Sequence, residues 1–479
     1  MRAGSVVPCS DFLGTGFFHT GWAPLGDVQE VPKTMRNLFT KSALVAALVT
    51  LVPVAAHASQ ARVQALGLQG DFIQDYTNIY AYPSSIVRYQ NLVYGDLGTK
   101  DVDGGDLSDF ENNGDVVPGL QNSNRAMGAY LSTWKWLPGT WGVQINENHN
   151  ALSPAYGAGY YDRNRNEGIT LLWGDKIGGA NIGLLVEKAG SSNDDGVDTT
   201  EPFPNVPPVL APLGTNARQR MNAINAGLGL ENRNSWGVGG GVTFNWSAWE
   251  REHQADFAVH YRDNSLKVEN TAAQQTIEDN GNTSFSVNAR AQLAVSDNSY
   301  LTPVFNWYSM GRGTQLTDVA DPTNNFEFDN TVSGLQIGLA ESWVLRESDL
   351  LVLGLSVSTE NIEYDDPAIA GSGGPFEVSY EATPSIFGAL EVHPVSWWHV
   401  RMGAGKPIWS KFEFTDNTTG VTETVKDSPL QYALGTGFRL GNRLDIDAVV
   451  NQDFSFTGSW GASGNSETPF SSLSMTYRF

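Results

Sequence analysis

Few residues of this chain have types and spacings that could do chemistry. Five histidines lie beyond residue 58, at His149, His253, His260, His393 and His399, and they are the candidate general bases. A general base works only with a nucleophile or a water held within hydrogen-bond reach. None of the five lies in a nucleophile motif. His393 falls in a short turn, and His260 in an alternating apolar segment. The His-Glu-x-x-His helix pattern, the phosphate-cradling glycine loop and the cysteine zinc spacings are missing from the sequence. The only cysteine, Cys9, stands ahead of an export signal, which removes thiolate chemistry and disulfides from the exported chain. No enzyme activity and no cofactor are expected.

Two other groups carry charge in a pattern. Asp101, Asp103 and Asp106 alternate around Gly104 and Gly105, and oxygen ligands so placed suit calcium, which takes about 6–8 of them. An EF-hand would need an acid where this chain has Asn112. The alternative is a solvated loop tied to anionic lipopolysaccharide through divalent cations, and the run Asn193 to Asp198 has the same two readings. The second group is Asp256, Arg262, Arg290, Arg401, Arg439, Asp445 and Asp447. These charges sit at alternate positions inside apolar segments, where each could line a polar lumen or form an interior ion pair that stiffens a wall.

Positioning such charges requires β-strands. Trp236, Val238, Val242, Phe244 and Trp246 share one parity, with Gly237, Gly239, Gly241, Thr243 and Asn245 on the other. Ala255, Phe257, Val259 and Tyr261 likewise oppose Asp256, His260 and Arg262, and Phe285 to Val295 oppose Ser286, Asn288, Arg290 and Gln292. Sixteen such segments are readable, near 90–97, 126–136, 140–147, 167–175, 178–189, 234–247, 252–262, 282–295, 298–310, 328–345, 348–360, 377–392, 396–405, 428–440, 443–453 and 469–479. Many are longer than the 5–6 residues usual for a soluble sandwich and match the 9–11 of a tilted membrane-crossing strand. Short turns such as Asp297-Asn298, Glu347-Ser348 and Gly441-Asn442 alternate with longer polar linkers at 98–125, 190–233, 311–326 and 454–467. The fold expected is all-β: a transmembrane antiparallel barrel of about 16 strands, within a range of 14–18, carrying a plug-like N-terminal segment.

Charge and the chain's early residues agree with export. Of 29 basic and 52 acidic residues, Arg2, Lys33, Arg36, Lys41, Asp11, Asp27 and Glu30 fall in the first 58, leaving 25 against 49, a net of about −24. Nucleic acid is excluded as a partner on that balance. Arg36 and Lys41, the apolar stretch Ala43–Val54 and the small-x-small Ala56-His57-Ala58 form a secretory signal over 35–58, and 1–34 reads as an over-long gene start. Residues 59–89 are expected as a periplasmic or plug segment, and 90–479 as the barrel.

Two resemblances extend this reading. Leu473, Met475, Tyr477 and Phe479 alternate with Ser472, Ser474, Thr476 and Arg478, which resembles the C-terminal signal of bacterial outer-membrane barrels and implies recognition by the barrel assembly machinery. Ala65-Leu66-Gly67-Leu68-Gln69-Gly70 followed by Asp75 to Pro83 resembles the N-terminal region of the long-chain fatty-acid transporter superfamily and the related shuttle proteins of type IX secretion. There the segment folds as a plug inside the barrel. The resemblance puts Asp75, Thr77, Ile79 and Pro83 at motif places, while Tyr82 and Gln69 depart from the pattern. It implies an outer-membrane channel or transporter passing small hydrophobic or polar solutes, with membrane lipid and lipopolysaccharide as surroundings. The alternative is a non-transporting barrel that acts as a surface or secretion-partner protein through its long acidic loops.

Overall fold

Lipid offers no hydrogen bonds, so a sheet that crosses it must close on itself. The computed structural model describes residues 59–98, 126–146, 167–193, 230–365, 376–450 and 470–479, apart from 69, 133–137, 271–273, 280–281, 321, 323–324, 347, 417–419 and 429. The expected signal (35–58), the stretch 1–34 and the acidic residues Asp101, Asp103 and Asp106 lie outside them.

The strands are β1 (Leu92–Gly98), β2 (Ala126–Leu131), β3 (Thr140–Asn146), β4 (Glu167–Ile177), β5 (Ala180–Asn193), β6 (Leu230–Ala248), β7 (Arg251–Asn270), β8 (Gln275–Asp279), β9 (Thr283–Ser296) and β10 (Ser299–Asp318). They continue as β11 (Phe326–Leu345), β12 (Asp349–Asp365), β13 (Phe376–Val395), β14 (Trp398–Pro407), β15 (Ser410–Asp416), β16 (Val421–Asp427), β17 (Gln431–Leu440), β18 (Leu444–Val450) and β19 (Phe470–Arg478). Each pairs antiparallel with its neighbours, and β1 closes the circle on β19 from Leu92 opposite Arg478 to Gly98 opposite Ser472. In three places two consecutive strands occupy one position in the wall. β8 and β9 both pair with β7 and β10, β14 and β15 both pair with β13, and β16 and β17 face β15 and β14. The result is a closed barrel of sixteen wall positions.

At one end the wall strands join through tight turns, as at Gly178-Gly179 and Trp249-Glu250, whose residues all have positive φ. At the other end the sheet is taller than the sequence pattern indicates. β5 runs to Asn193, β6 starts at Leu230 and β10 reaches Asp318, so parts of the expected linkers 190–233 and 311–326 are strand. Hydrogen-bonded hairpins continue here past the apolar band. No alternation of polarity marks them in the sequence. The 20 residues of β10 extend over about 65 Å, well beyond the 9–11 residues a crossing needs.

The outer face carries the apolar parity: Leu171, Val186, Phe257, Ile337, Leu355 and Ile386 are exposed to what surrounds the wall. Trp246, Trp249, Trp397 and Trp398 gather near the tight turns, an aromatic girdle at that end. A closed wall with an apolar exterior is the β architecture that spans membranes, and the chain is an outer-membrane barrel.

The inner face is covered by residues 59–91. Helix α1 (Gln60–Ala65) is followed by 3₁₀ turns at Gly70–Phe72, Tyr76–Ile79 and Pro83–Arg88. Three of these four starts have a local cause. The Ser59 hydroxyl accepts the Arg62 N–H, Asp75 and Asn78 form a reciprocal capping box, and Pro83 supplies the fixed φ of a first helical position. Tyr76, Ile79 and Ile86 pack on Tyr130, Leu172 and Leu185 of the wall, while Leu66, Leu68 and Phe72 pack on Val304, Ala340 and Val352. This accounts for apolar residues on a face that would otherwise be wet. Among the described residues no helix is long and apolar enough to cross a membrane.

Candidate functional site: the junction between the luminal segment and the wall

Two charged clusters hold the segment. The first lies under α1. Arg62 donates from Nε to Glu391 Oε2 at 2.6 Å and from Nη2 to Oε1 at 3.1 Å. Arg401 donates to the same Glu391 Oε2 at 2.5 Å and to Asp447 Oδ1 at 2.6 Å, and the Ser59 hydroxyl donates to Asp447 Oδ2 at 2.6 Å. Two guanidiniums and two carboxylates thus balance in a buried chain that joins the segment to β13, β14 and β18. Bidentate arginine geometry is the form in which such burial is best compensated.

The second cluster centres on Asp256. Arg290 donates to its Oδ2 at 2.8 Å and Arg88 of the segment to its Oδ1 at 3.0 Å, with Thr243 and Gln254 donating as well. The other arm of Arg290 reaches the segment's backbone, donating to the carbonyls of Asp71 and Ile73 and to Asn78 Oδ1 at 3.0–3.1 Å. Its guanidinium also lies over the Tyr82 ring, 4.5 Å from the centroid. Further round the wall Arg262 pairs with Glu187 at 2.6 Å and Arg439 with Asp445 at 2.7 Å. All seven charged positions read from the alternation therefore face inward, and each has an opposite charge in contact.

Shape adds to charge. A Cβ placed on Gly403 would stand 1.7 Å from the Leu66 carbonyl oxygen, and one on Gly183 would stand 2.2 Å from the Pro83 carbonyl carbon. These wall positions must be glycine for the segment to lie where it does.

The motif residues of the segment have these surroundings. Asp75 accepts the Thr77 N–H at 2.8 Å, and its other carboxylate oxygen is buried without a hydrogen-bond partner. Burial pushes its pKa up to about 7, although Arg62 pulls the other way. Burial likewise raises that of Asp71, against the pull of Arg290. Ile79 and Pro83 are packed against the wall. Leu473, Met475 and Tyr477 face outward on β19, and the Phe479 N–H donates to the Asn91 carbonyl.

Arg62, Arg88, Glu391 and the two glycines are not among the residues that the charge alternation or the resemblance singles out. Arg62 and Arg88 are the only bases between 59 and 91, and Glu391 has the inward parity of Ala389, so both signals were present.

No family model and no curated protein matches the chain. Among solved structures, the toluene transporter TodX of Pseudomonas putida aligns over 89% of this chain and 100% of its own, at 8% identity and a TM-score of 0.37. The toluene transporter TbuX of Ralstonia pickettii aligns over 89% and 99%, at 9% identity and 0.37. The siderophore receptor PiuA of Acinetobacter baumannii aligns over 64% and 53%, at 11% identity and 0.36. The architecture rests on the chain's own closed register.

Proposed function

We propose that this outer-membrane barrel is a gated channel, in which residues 59–91 close the lumen and small solutes pass when the segment is displaced. The observation that carries this reading is the buried Arg62–Glu391 pair, which ties a separate element to the wall at 2.6 Å. A segment needed only to fill the barrel would be served by apolar packing, since a buried ion pair is a weak source of stability. Such a pair suits a contact that must be specific and must also open. The wall beneath the segment offers apolar Leu172, Leu185, Val304 and Val352 beside the charged clusters, which supports passage of hydrophobic or polar solutes.

The test is planar-bilayer conductance of the refolded barrel with and without residues 59–89. Silence from the intact protein and current after the deletion are expected. Steady ohmic current from the intact protein overturns closure by the segment. Silence from both favours a barrel that serves as a surface or secretion-partner protein.

A further inference from the structure

We propose that Glu391, His393 and His399 form a binding site for a first-row divalent transition cation at the tight-turn end of the lumen. One ligand atom from each lies within 4.8 Å of the other two. The imidazole rings stand edge to face with centroids 4.2 Å apart, and His393 Nε2 is 4.0 Å from Glu391 Oε1.

The backbone explains how two rings meet here. Val392 faces Val400 and Val395 faces Trp398, so His393 and Pro394 together oppose His399. Two residues against one is a β-bulge, a device that re-aims a side chain. It turns His393 towards the ring of His399.

Two further observations point to a ligand. His399 is 4% exposed, and its Nδ1 is buried without a hydrogen-bond partner. A buried ring nitrogen left so is uncommon unless something else is meant to meet it. On the other ring, Asp349 Oδ1 lies 3.2 Å from His393 Nδ1 and accepts the His393 backbone N–H at 2.8 Å. A carboxylate on Nδ1 fixes the tautomer that leaves the Nε2 lone pair free, the arrangement found behind metal-binding histidines.

Donor chemistry selects the cation. Two imidazoles and one carboxylate suit zinc, nickel, cobalt or copper, whereas calcium and magnesium favour oxygen throughout. A cation about 2.1 Å from each ligand needs them roughly 3–4 Å apart, so the side chains close by about an ångström. Glu391 already serves Arg62 and Arg401, Asp447 offsets Arg401, and Asp349 adds a negative charge beside His393. The His393 side chain is 11% exposed, which gives a cation access from the rim.

The probe is Co²⁺ added to the refolded full barrel, followed by visible absorption and displaced with Zn²⁺. One equivalent with d–d bands is expected, weakened at least 30-fold in His399→Ala and in His393→Ala but unchanged in His253→Ala. No binding, or binding equal in all three variants, overturns the site. Because a variant could fail to fold, Cu²⁺ electron paramagnetic resonance on the unaltered protein supplies a second reading. Hyperfine coupling to two nitrogens is expected, and coupling to none or one overturns the proposal.

Discussion

Glu391 receives two guanidiniums, and that unequal sharing makes its neighbours separable by mutation. Glu391→Gln strands Arg62 in a buried setting while Arg401 keeps only Asp447, an effect expected to cost about 3–5 kcal/mol. Arg62→Met should cost less, because Arg401 still neutralises the carboxylate and Met keeps much of the apolar stem. Reversible urea unfolding in lipid vesicles checks the order, and equal losses would mean that Arg401 contributes little. Asp75 gives a pH dependence of known sign. Its pKa is raised from 3.8 to about 7, so the folded state holds the proton more tightly than the unfolded chain. The stability this contributes is full below pH 3.8 and falls as pH rises to about 7, beyond which the charged form bears the whole cost. Asp75→Asn keeps an N-cap without the charge. It should match the unaltered protein near pH 3.8 and exceed it by up to about 4 kcal/mol at pH 8. Thermal midpoints compared across that range test it, and a difference that does not vary with pH would refute the burial of a charge there.

At the scale of elements, the luminal segment depends on grooves that the wall strands leave open. Gly403→Leu puts side-chain atoms where the Leu66 carbonyl lies, while Gly240→Ala adds a methyl whose nearest neighbour is 3.7 Å away. The first is expected to lift α1 and produce current in an otherwise closed barrel; the second should leave conductance and thermal stability unchanged. Current from both would argue that the wall itself is leaky. The same elements show what a sequence can and cannot reveal. Alternation located all sixteen wall positions, because each crossing must present apolar atoms outward whatever its partners. It did not locate 230–233 or 311–318, whose residue types do not alternate in polarity and which are strand through hairpin pairing. Nor did it reveal the 3₁₀ turns at Gly70–Phe72 and Pro83–Arg88, which are too short to show a period. It placed Asp256 and Arg290 on one face but could not pair them, since the register that sets Asp256 opposite Arg290 is a property of two strands together.

For the whole molecule, the decisive question is which part moves. The wall closes through β1 and β19 with a continuous register, and every backbone group facing lipid must keep its partner, so a large excursion of the wall is costly. The segment has no such obligation: α1 and the Tyr76–Ile79 turn carry their own caps, and the side chains of Arg62, Arg88 and Arg290 join it to the wall. Motion of the segment within a fixed wall is therefore the cheaper opening. Ser84 on the segment and Thr243 on β6 have side-chain oxygens 2.8 Å apart, close enough for a disulfide in a Ser84→Cys, Thr243→Cys protein. Residues 59–479 contain no cysteine, so this pair would supply the sole thiols of that stretch. Combined with Gly403→Leu, the oxidised pair is expected to hold the Pro83–Arg88 turn against the wall and reduce the current that the glycine substitution opens, and reductant should restore it. Urea midpoints of the wall should change little between the two redox states. If current persists unchanged after oxidation, α1 alone controls passage and the turn at Pro83–Arg88 stays docked while solute moves; if the wall's midpoint collapses on reduction, wall and segment open as one body and the fixed-wall argument fails.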